Sequence, residues 1–261
     1  MPRLMFQRPR RIEWEDLGPR HGRMVAEPFE KGYALTVGNS LRRVLLSIIQ
    51  GAAIVWVKIS GVAPGATRVP GVQEDLATLL LNLKKVVVRL PDEKPGSARL
   101  EARGPKTVTA GDLAGPGVEV LNPQWVLGTL DAGKSLSLEV GIRSGRGYVS
   151  ADRQTEAAPA GTIGLDSAFS PIQRVNYHVE MSRLGKITDY EKLVVEISTD
   201  GTVSPDQALL RASRLLRDHF DLFTPAGAEE EDEDGERRRV PTAPSVPAAS
   251  ATVPDEATAS S

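Results

Sequence analysis

The sequence contains no cysteine, which excludes disulfide bonds and thiolate chemistry. Its three histidines, His21, His178 and His219, are widely separated and have no cysteines to complete a zinc site, so we expect them to be packing or surface residues. No apolar run reaches the roughly 20 residues that span a bilayer, and no apolar segment follows the arginine-rich N-terminus. A net charge of −2 gives no global attraction to nucleic acid. These features predict a cytoplasmic protein without a membrane span and with little or no direct DNA contact.

Catalytic patterns are also scarce. The acidic run at residues 229–236 lies beside arginines in a segment that we expect to be flexible, whereas metal ligands must be held in place. The triplet at residues 145–147, Gly-Arg-Gly, lacks the full dinucleotide fingerprint, and no phosphate-binding G-x-x-x-x-G-K-[ST] loop occurs. The serines at 47, 170 and 182 lack a nucleophile-elbow context. The sequence therefore predicts no catalytic residues, no metal site and no cofactor in this chain.

Residues 36–49 read as a helix that ends before Gly51 and carries more apolar surface than one core requires. Its main apolar stripe and the residues that widen it are Val37, Leu41, Val44 and Ile48, then Leu35, Leu45, Leu46 and Ile49. The polar remainder is narrow and includes Arg42, Arg43 and Ser47. Such a helix must bury most of its circumference, so one side is expected to meet its own domain and another a second copy or a partner.

A second over-apolar helix is predicted near the other end, where Ser204 and Pro205 form a start signal. Its apolar residues at helical spacing include Leu209, Leu216 and Phe220. Between the two helices, a shorter helix with Lys84 in its last turn and several β-branched segments separated by Gly/Pro turns are predicted, and the dipeptide Asp200-Gly201 is a hairpin signal. Two such helices suggest a helical dimer seam.

From residue 225 the composition changes to an acidic run, three arginines and a Pro/Ala/Ser-rich stretch. Such a segment cannot bury enough apolar area to offset the entropy of ordering it. We therefore expect residues 225–261 to form a disordered tail.

The sequence E-P-F-E-K-G-Y-A-L-T-V-G-N-S-L-R-R-V-L-L-S at residues 27–47 resembles the N-terminal assembly region of the bacterial DNA-directed RNA polymerase α subunit family. Further stretches recur in the family's order: G-V-Q-E-D at 71–75, L-L-N-L-K at 80–84, R-G-Y-V at 146–149, F-S-P-I at 169–172 and T-D-Y-E-K-L at 188–193. The resemblance extends over about residues 24–223. A chance match of that length is very improbable.

The resemblance implies an α+β fold with a discontinuous dimerisation domain, formed by two long helices on an antiparallel sheet. That domain would comprise residues 1–50 and 175–224, and residues 51–174 would form an inserted, mostly β domain that contacts the large subunits. Patterning of the sequence alone would not pair the two ends of the folded region.

The resemblance also implies functional residues. Arg43 corresponds to the arginine that meets the large catalytic subunits, Lys84 to a lysine on a surface implicated in contacting β′, and Arg42 and Ser47 share the polar side of the first helix. Without the resemblance, the two arginines could be a solvated face, and Lys84 could simply interact with the dipole of its helix. The predicted dimerisation residues are Leu35, Leu45, Ile49, Leu209, Leu216 and Phe220.

The function implied is that of a homodimer that nucleates polymerase assembly by binding β first and then β′, within an enzyme that also contains ω and sigma. The chain would be a non-catalytic subunit of a nucleotidyltransferase.

Two departures from the family pattern lead to separate expectations. The loop at residues 63–70, A-P-G-A-T-R-V-P, replaces an L-H-E-[FY]-S-T-like stretch, which puts its partner contacts in doubt. The sequence given ends at Ser261, within linker-like sequence and without the family's usual C-terminal domain, so no upstream DNA or activator binding through such a domain is expected.

Two other classes of function stay open. An α paralogue could regulate polymerase assembly or act as a decoy, and the substituted loop and the missing domain are what favour that alternative. An unrelated dimeric α+β enzyme is the other alternative, and the absence of a catalytic constellation speaks against it.

Overall fold

A computed structural model describes residues 8–62, 66–154, 159–184, 187–223, 229–231 and 237–239. The chain divides into two compact units, Met1–Leu216 and Arg217–Ser261. The described helices are α1 Tyr33–Ile48, α2 Leu76–Lys84 and α3 Pro205–Phe220, with 3-10 turns at Ala110–Asp112, Ala151–Arg153 and Asp221–Phe223. The strands of the first unit are β1 Arg11–Leu17, β2 His21–Glu30, β3 Gln50–Ile59, β4 Val88–Arg89, β5 Gly96–Arg103, β6 Lys106–Thr109, β7 Glu119–Val120, β8 Val126–Leu130, β9 Ser135–Arg146, β10 Tyr148–Val149, β11 Ile163–Gly164, β12 Ser167–Ala168, β13 Ile172–Leu184 and β14 Ile187–Thr199.

One four-stranded sheet joins the two ends of the first unit in the order β1-β2-β14-β13. All its pairs are antiparallel, and Val194 on β14 lies opposite both Val25 on β2 and His178 on β13. One face of this sheet packs against α1 and α3 to form a hydrophobic cluster. The buried members of the cluster are Met24, Ala26, Phe29, Ala34, Leu45, Ile49, Ile172, Val175, Leu193, Val195, Ile197, Val203, Ala208 and Ala212.

The opposite face of this sheet is lined with ion pairs. Arg23 Nε lies 3.0 Å from Glu15 Oε2, and Glu180 pairs with both Lys192 and His178. The side chain of His178 is 46% exposed, in agreement with the expectation of a packing or surface residue. Exposed ion pairs tolerate water, whereas Val25 and Val194 in the middle of this face are buried.

The middle of the chain builds a second antiparallel sheet in the order β11-β3-β9-β5. Helix α2 and the small pairs β4–β7 and β6–β8 accompany it. A separate hydrophobic cluster, made of buried residues between Ile54 and Leu165, fills this region, with Leu79, Leu83, Leu127 and Val140 fully buried.

These antiparallel sheets with few helices confirm the α+β class. The first cluster draws residues from both ends of the unit, and the second draws only from the middle. This arrangement supports the predicted discontinuous domain and its insertion, which stay a prediction.

The dipeptide Asp200-Gly201 does not turn a hairpin, and that prediction is wrong. It connects β14 to α3, and the carboxylate Oδ1 of Asp200 accepts a hydrogen bond from the Thr202 backbone N–H at 2.8 Å. The hairpin partner of β14 is the preceding strand, β13. The N-terminal strands β1 and β2, which complete this sheet, were not predicted.

The second unit contains the end of α3, the 3-10 turn after it, and two short strands, β15 Glu229–Glu231 and β16 Arg237–Arg239. These two strands pair antiparallel, with Glu230 opposite Arg238, and the sequence analysis did not predict them. The rest of the predicted disordered tail, and residues 63–65 of the substituted loop, lie outside the described residues.

Candidate partner-binding surfaces

Helix α1 is held against the first sheet by a very close approach. A Cβ atom on Gly38 would lie 2.6 Å from Cδ2 of Tyr177 and 2.9 Å from Cδ1 of Leu193, closer than real Cβ contacts. Tyr177 belongs to β13 and Leu193 to β14. Only glycine therefore allows the helix to lie this near the sheet, which gives a physical reason for the glycine in the T-V-G-N segment.

The N-terminus of α1 is capped by a residue from the far end of the unit. Gly32, at φ 83°, leads into the helix, and its N–H donates to Glu191 Oε1 at 2.8 Å. The Ala34 N–H donates to the other oxygen of Glu191 at 3.3 Å. The helix has no acidic residue of its own in the first turn, so this carboxylate from β14 satisfies otherwise unpaired donors at the positive end of the helix. Sequence reasoning missed Glu191, because its partners lie more than 150 residues away in the chain.

The inner face of α1 differs from the predicted stripe. The structure buries Ala34, Gly38, Leu41 and Leu45, whereas Val37, Val44 and Ile48 are only half-buried flanks. The predicted dimerisation role of Leu45 and Ile49 is corrected, because these side chains are 0% and 4% exposed and belong to the protomer's own core.

The outer face of α1 has a second line of residues. Leu35, Asn39, Arg42 and Leu46 follow one another at spacings of four, three and four, so they share one face of the helix, and all are exposed. Leu35 is 56% exposed and Leu46 38%. Leu35 therefore remains available for dimerisation, and Arg42 lies on the same line as these leucines.

Arg43 and Ser47 lie to one side of that line, one helical turn apart, and both are exposed. The Ser47 hydroxyl donates to the Arg43 carbonyl at 2.6 Å, so it is tied to the helix backbone. No ion pair joins Arg42 or Arg43 to a carboxylate in the part of the chain that the structure describes. Both guanidinium groups can therefore donate hydrogen bonds to a carboxylate of another protein, for which their planar donor geometry is suited.

Helix α3 makes a narrower contact with the sheet than its sequence suggests. Its buried residues are Pro205, Ala208 and Ala212. Of the predicted dimerisation residues, Leu209 is partly buried against the first cluster, Leu216 is half-buried and Phe220 is 62% exposed. Leu210, which was not predicted, is 50% exposed. Small residues thus make the intramolecular contact and larger ones stay outside.

Lys84 ends α2 and is engaged within the chain. Its Nζ lies 3.2 Å from Asp166 Oδ2, and the other oxygen of Asp166 accepts the Ala151 N–H at 3.0 Å. The Ala151 N–H, the Lys84 ammonium and the Tyr148 side chain all lower the pKa of Asp166. The sequence analysis identified Lys84 but missed Asp166, because no local pattern connects a helix end with an aspartate about 80 residues later.

Three of the four predicted partner residues, all except Arg42, are linked by a chain of contacts. Arg43 is bonded to Ser47, whose carbonyl oxygen would lie 3.9 Å from a Cβ atom on Gly147. Gly147 precedes Tyr148, which pairs with Ala168 on β12, and two residues before Ala168 the side chain of Asp166 binds Lys84. These contacts link the elements that carry Arg43, Ser47 and Lys84. The linked residues are called here the α1–α2 strip, which is defined by Arg43, Ser47, Gly147, Tyr148, Asp166 and Lys84.

Two further searches concern only the described residues. No helix among them is long and apolar enough to cross a membrane. Nor do three or more His, Asp or Glu side chains among them converge as metal ligands would.

Comparison with known families identifies the middle of the chain first. Residues 57–170 match the family described as the RNA polymerase Rpb3/RpoA insert domain. This segment contains α2 and most of the second sheet, so the fold and the match together define the class of RNA polymerase subunits that carry this insert domain.

Relatives of known family match most of the chain. The chain is 46% identical over 222 residues to the DNA-directed RNA polymerase subunit alpha of Moorella thermoacetica, covering 84% of this chain and 71% of the relative. It is 46% identical over 205 residues to that of Symbiobacterium thermophilum and 45% identical over 205 residues to that of Alkaliphilus metalliredigens, each covering 78% of this chain and 65% of the relative. The chain belongs to the DNA-directed RNA polymerase alpha subunit family, which confirms the resemblance drawn from its motifs.

Proposed function

We propose that this protein is the homodimeric scaffold on which a bacterial RNA polymerase core assembles, binding β first and then β′. The observation that supports the proposal is the α1–α2 strip, a chain of contacts that links the elements carrying Arg43, Ser47 and Lys84, at which the family resemblance implies partner binding. In this role the chain supplies no catalytic group, and nucleotide addition takes place in the large subunits.

Two-fold symmetry explains how one kind of chain can bind two different partners. A symmetric dimer presents every surface twice. One copy of the strip then faces β and the other faces β′, so that a symmetric seed builds an asymmetric enzyme. The exposed Leu35 and Leu46 on α1 and Leu210 on α3 support a seam between protomers that is separate from the strip.

The substitution Arg43→Ala tests the proposal. Arg43 is exposed and without a carboxylate partner in the described part of the chain, so its loss should leave the fold and the dimer intact. We expect capture of purified β to weaken by about tenfold or more, because arginines at interface centres often contribute more than 1 kcal/mol. The measurement is a titration of β against the immobilised dimer.

Arg103→Ala is the matched control, since Arg103 is an exposed arginine on β5, away from the strip. It should capture β as the unmodified protein does. Undiminished capture by Arg43→Ala would remove Arg43 from the interface, and a lack of capture by the unmodified dimer would overturn the scaffold function itself.

The regulator or decoy paralogue is the alternative, whereas family membership removes the unrelated enzyme. The substituted loop at residues 63–70 is the observation that favours the paralogue. Co-expression with β and β′ separates the two: a scaffold yields active core polymerase, and a decoy yields a complex with β that does not synthesise RNA.

A further inference from the structure

Asp166 is the meeting point of three elements of the inserted region. It accepts hydrogen bonds from Lys84 at the end of α2, at 3.2 Å, and from the N–H of Ala151 at the start of a 3-10 turn, at 3.0 Å. Tyr148 on β10 lies close enough to the same carboxylate to help lower its pKa. A carboxylate has room for several donors, and those to an ionised acceptor are the stronger ones.

The segment that Asp166 organises has little regular structure to hold it. Between Tyr148 and Ala168 the described part contains two-residue strands and one 3-10 turn. The buried side-chain amide of Gln154 stabilises the segment. Its Nε2 donates to the carbonyls of Val149 and Leu165 at 3.1 and 3.0 Å. The Ser167 hydroxyl, 2.8 Å from the carbonyl of Ile54, ties the segment to β3. Side-chain hydrogen bonds therefore add to the two short strand pairs, β3–β11 and β10–β12, in fixing its conformation.

The outer part of this arrangement is open to solvent. Tyr148 is 66% exposed, and the side chains of Lys84 and Asp166 are 32% and 40% exposed. Water screens an ion pair of this exposure, so we expect it to add little to the stability of the fold. Its main effect is to hold Lys84 and the turn at Ala151 in one fixed arrangement beside the exposed Tyr148 ring. Groups that are already ordered lose less entropy on binding.

We propose that Asp166 is the positioning residue of this end of the α1–α2 strip, and that Lys84 promotes docking of the β′ subunit through Asp166 rather than by contacting β′ itself. This inference rests on the proposed scaffold function. The partner surface that fits is one that receives the exposed Tyr148 ring, with the Ala151 turn beside it.

A double-mutant cycle tests the inference. Dimers of the full chain with β bound are titrated with purified β′, comparing the unmodified protein with Lys84→Met, Asp166→Asn and the double variant. We expect each single change to weaken β′ capture by about tenfold and the double change to weaken it no further, because both remove the same arrangement. Thermal unfolding of the free dimers should stay nearly unchanged, and the Ala151 amide should lose hydrogen-exchange protection in Asp166→Asn.

The matched control is Asp112→Asn. Asp112 also binds a lysine, Lys106, at 2.5 Å, and a backbone N–H, that of Thr109, at 2.9 Å, but it belongs to another part of the inserted region. Its substitution should leave β′ capture unchanged.

Three outcomes overturn the inference. Normal capture by Asp166→Asn together with loss in Lys84→Met would mean that Lys84 contacts β′ directly. Additive losses in the double variant would mean that the two residues act independently. Failure of the unmodified dimer to capture β′ at all would overturn the scaffold function with it, and only this last outcome does so.

Discussion

At the scale of single residues, the contacts that position α1 come from side chains and backbone far apart in the chain. From the sequence alone, Gly38 would be expected to weaken its helix, since glycine inside a helix costs about 1 kcal/mol of helix stability relative to alanine. In the structure it is the residue that lets α1 approach Tyr177 and Leu193. Its cost in helix propensity is thus offset by packing that only the tertiary structure reveals.

The substitution Gly38→Ala should destabilise the protein despite improving helix propensity. The new methyl group would lie 2.6 Å from Tyr177 Cδ2, and overpacking of this kind typically costs about 1–3 kcal/mol. We expect a net loss of about 1–2 kcal/mol in the free energy of unfolding, measured by urea denaturation. Asn39→Ala, on the exposed face of the same helix, is the control and should be neutral or slightly stabilising. A gain in stability for Gly38→Ala would contradict the close-packing argument.

At the scale of elements, α2 illustrates how a local signal and a tertiary contact combine. Asp75 is its N-cap residue, and its Oδ1 accepts the Thr78 N–H at 2.8 Å. Glu74 precedes the helix and accepts the Thr129 N–H at 2.7 Å. Capping is therefore local, whereas contact of the helix region with β8 uses both Asn82 within the helix and Glu74 outside it.

Acid should weaken the capping of α2. Hydrogen bonds from Thr78 lower the pKa of Asp75, so its ionised form is favoured in the folded state. A lowered carboxyl pKa adds stability above the usual value of about 4, and that stability is lost as the pH falls through the folded value. We expect the unmodified protein to have a higher urea midpoint than Asp75→Asn at pH 7, with the gap closing toward pH 3.

Asp200 provides a control of opposite sign for this measurement. Burial raises its pKa, although hydrogen bonds from Thr202 and the charge of Arg20 oppose the shift. A raised carboxyl pKa costs stability at neutral pH, and the cost disappears as the pH falls below the usual value. Asp200→Asn should therefore be more stable than the unmodified protein at pH 7 and equal to it in acid. Gaps of the same sign for both variants would show that the pH dependence has another origin.

At the scale of the whole molecule, the exposed apolar residues of α1 bear on whether the protein is a monomer or a dimer. Burying a leucine side chain contributes about 1.5–3 kcal/mol, and a two-fold seam counts it twice. Leu35 is 56% exposed, and Leu81 on α2 is exposed to the same extent, so the two residues form a matched pair.

Leu35→Lys should shift the protein toward monomer, whereas Leu81→Lys should leave it dimeric. The loss at two symmetric positions corresponds to an increase of the dimer dissociation constant by about two to four orders of magnitude. Sedimentation velocity at micromolar concentration measures the populations. A monomeric unmodified protein, or equal behaviour of the two variants, would refute the assignment of Leu35 to the dimer seam.

Much of the molecule could be predicted from its sequence because the signals are local. The strands β3, β5 and β9, the helix α2 with its inner face, and the start of α3 at Pro205 follow from periodicity and from turn residues. The hairpin predicted at Asp200 failed because its dipeptide suits a helix entry as well as a tight turn. The strands β1 and β2 were missed, although they complete the sheet on which α1 lies.

The sequence by itself determined the family and the α+β class, because motifs and periodicity are carried by neighbouring residues. It also identified Arg43, Ser47 and Lys84 as candidate partner-binding residues. The tertiary structure decided which apolar residues of α1 lie inside. The sequence of a helix that is apolar around most of its circumference does not define a unique inner face. In the structure, the close approach of Gly38 to Tyr177 and Leu193 defines it. The tertiary structure also placed Glu191 at the start of α1 and Asp166 beside Lys84, since both contacts close long loops that no local pattern encodes.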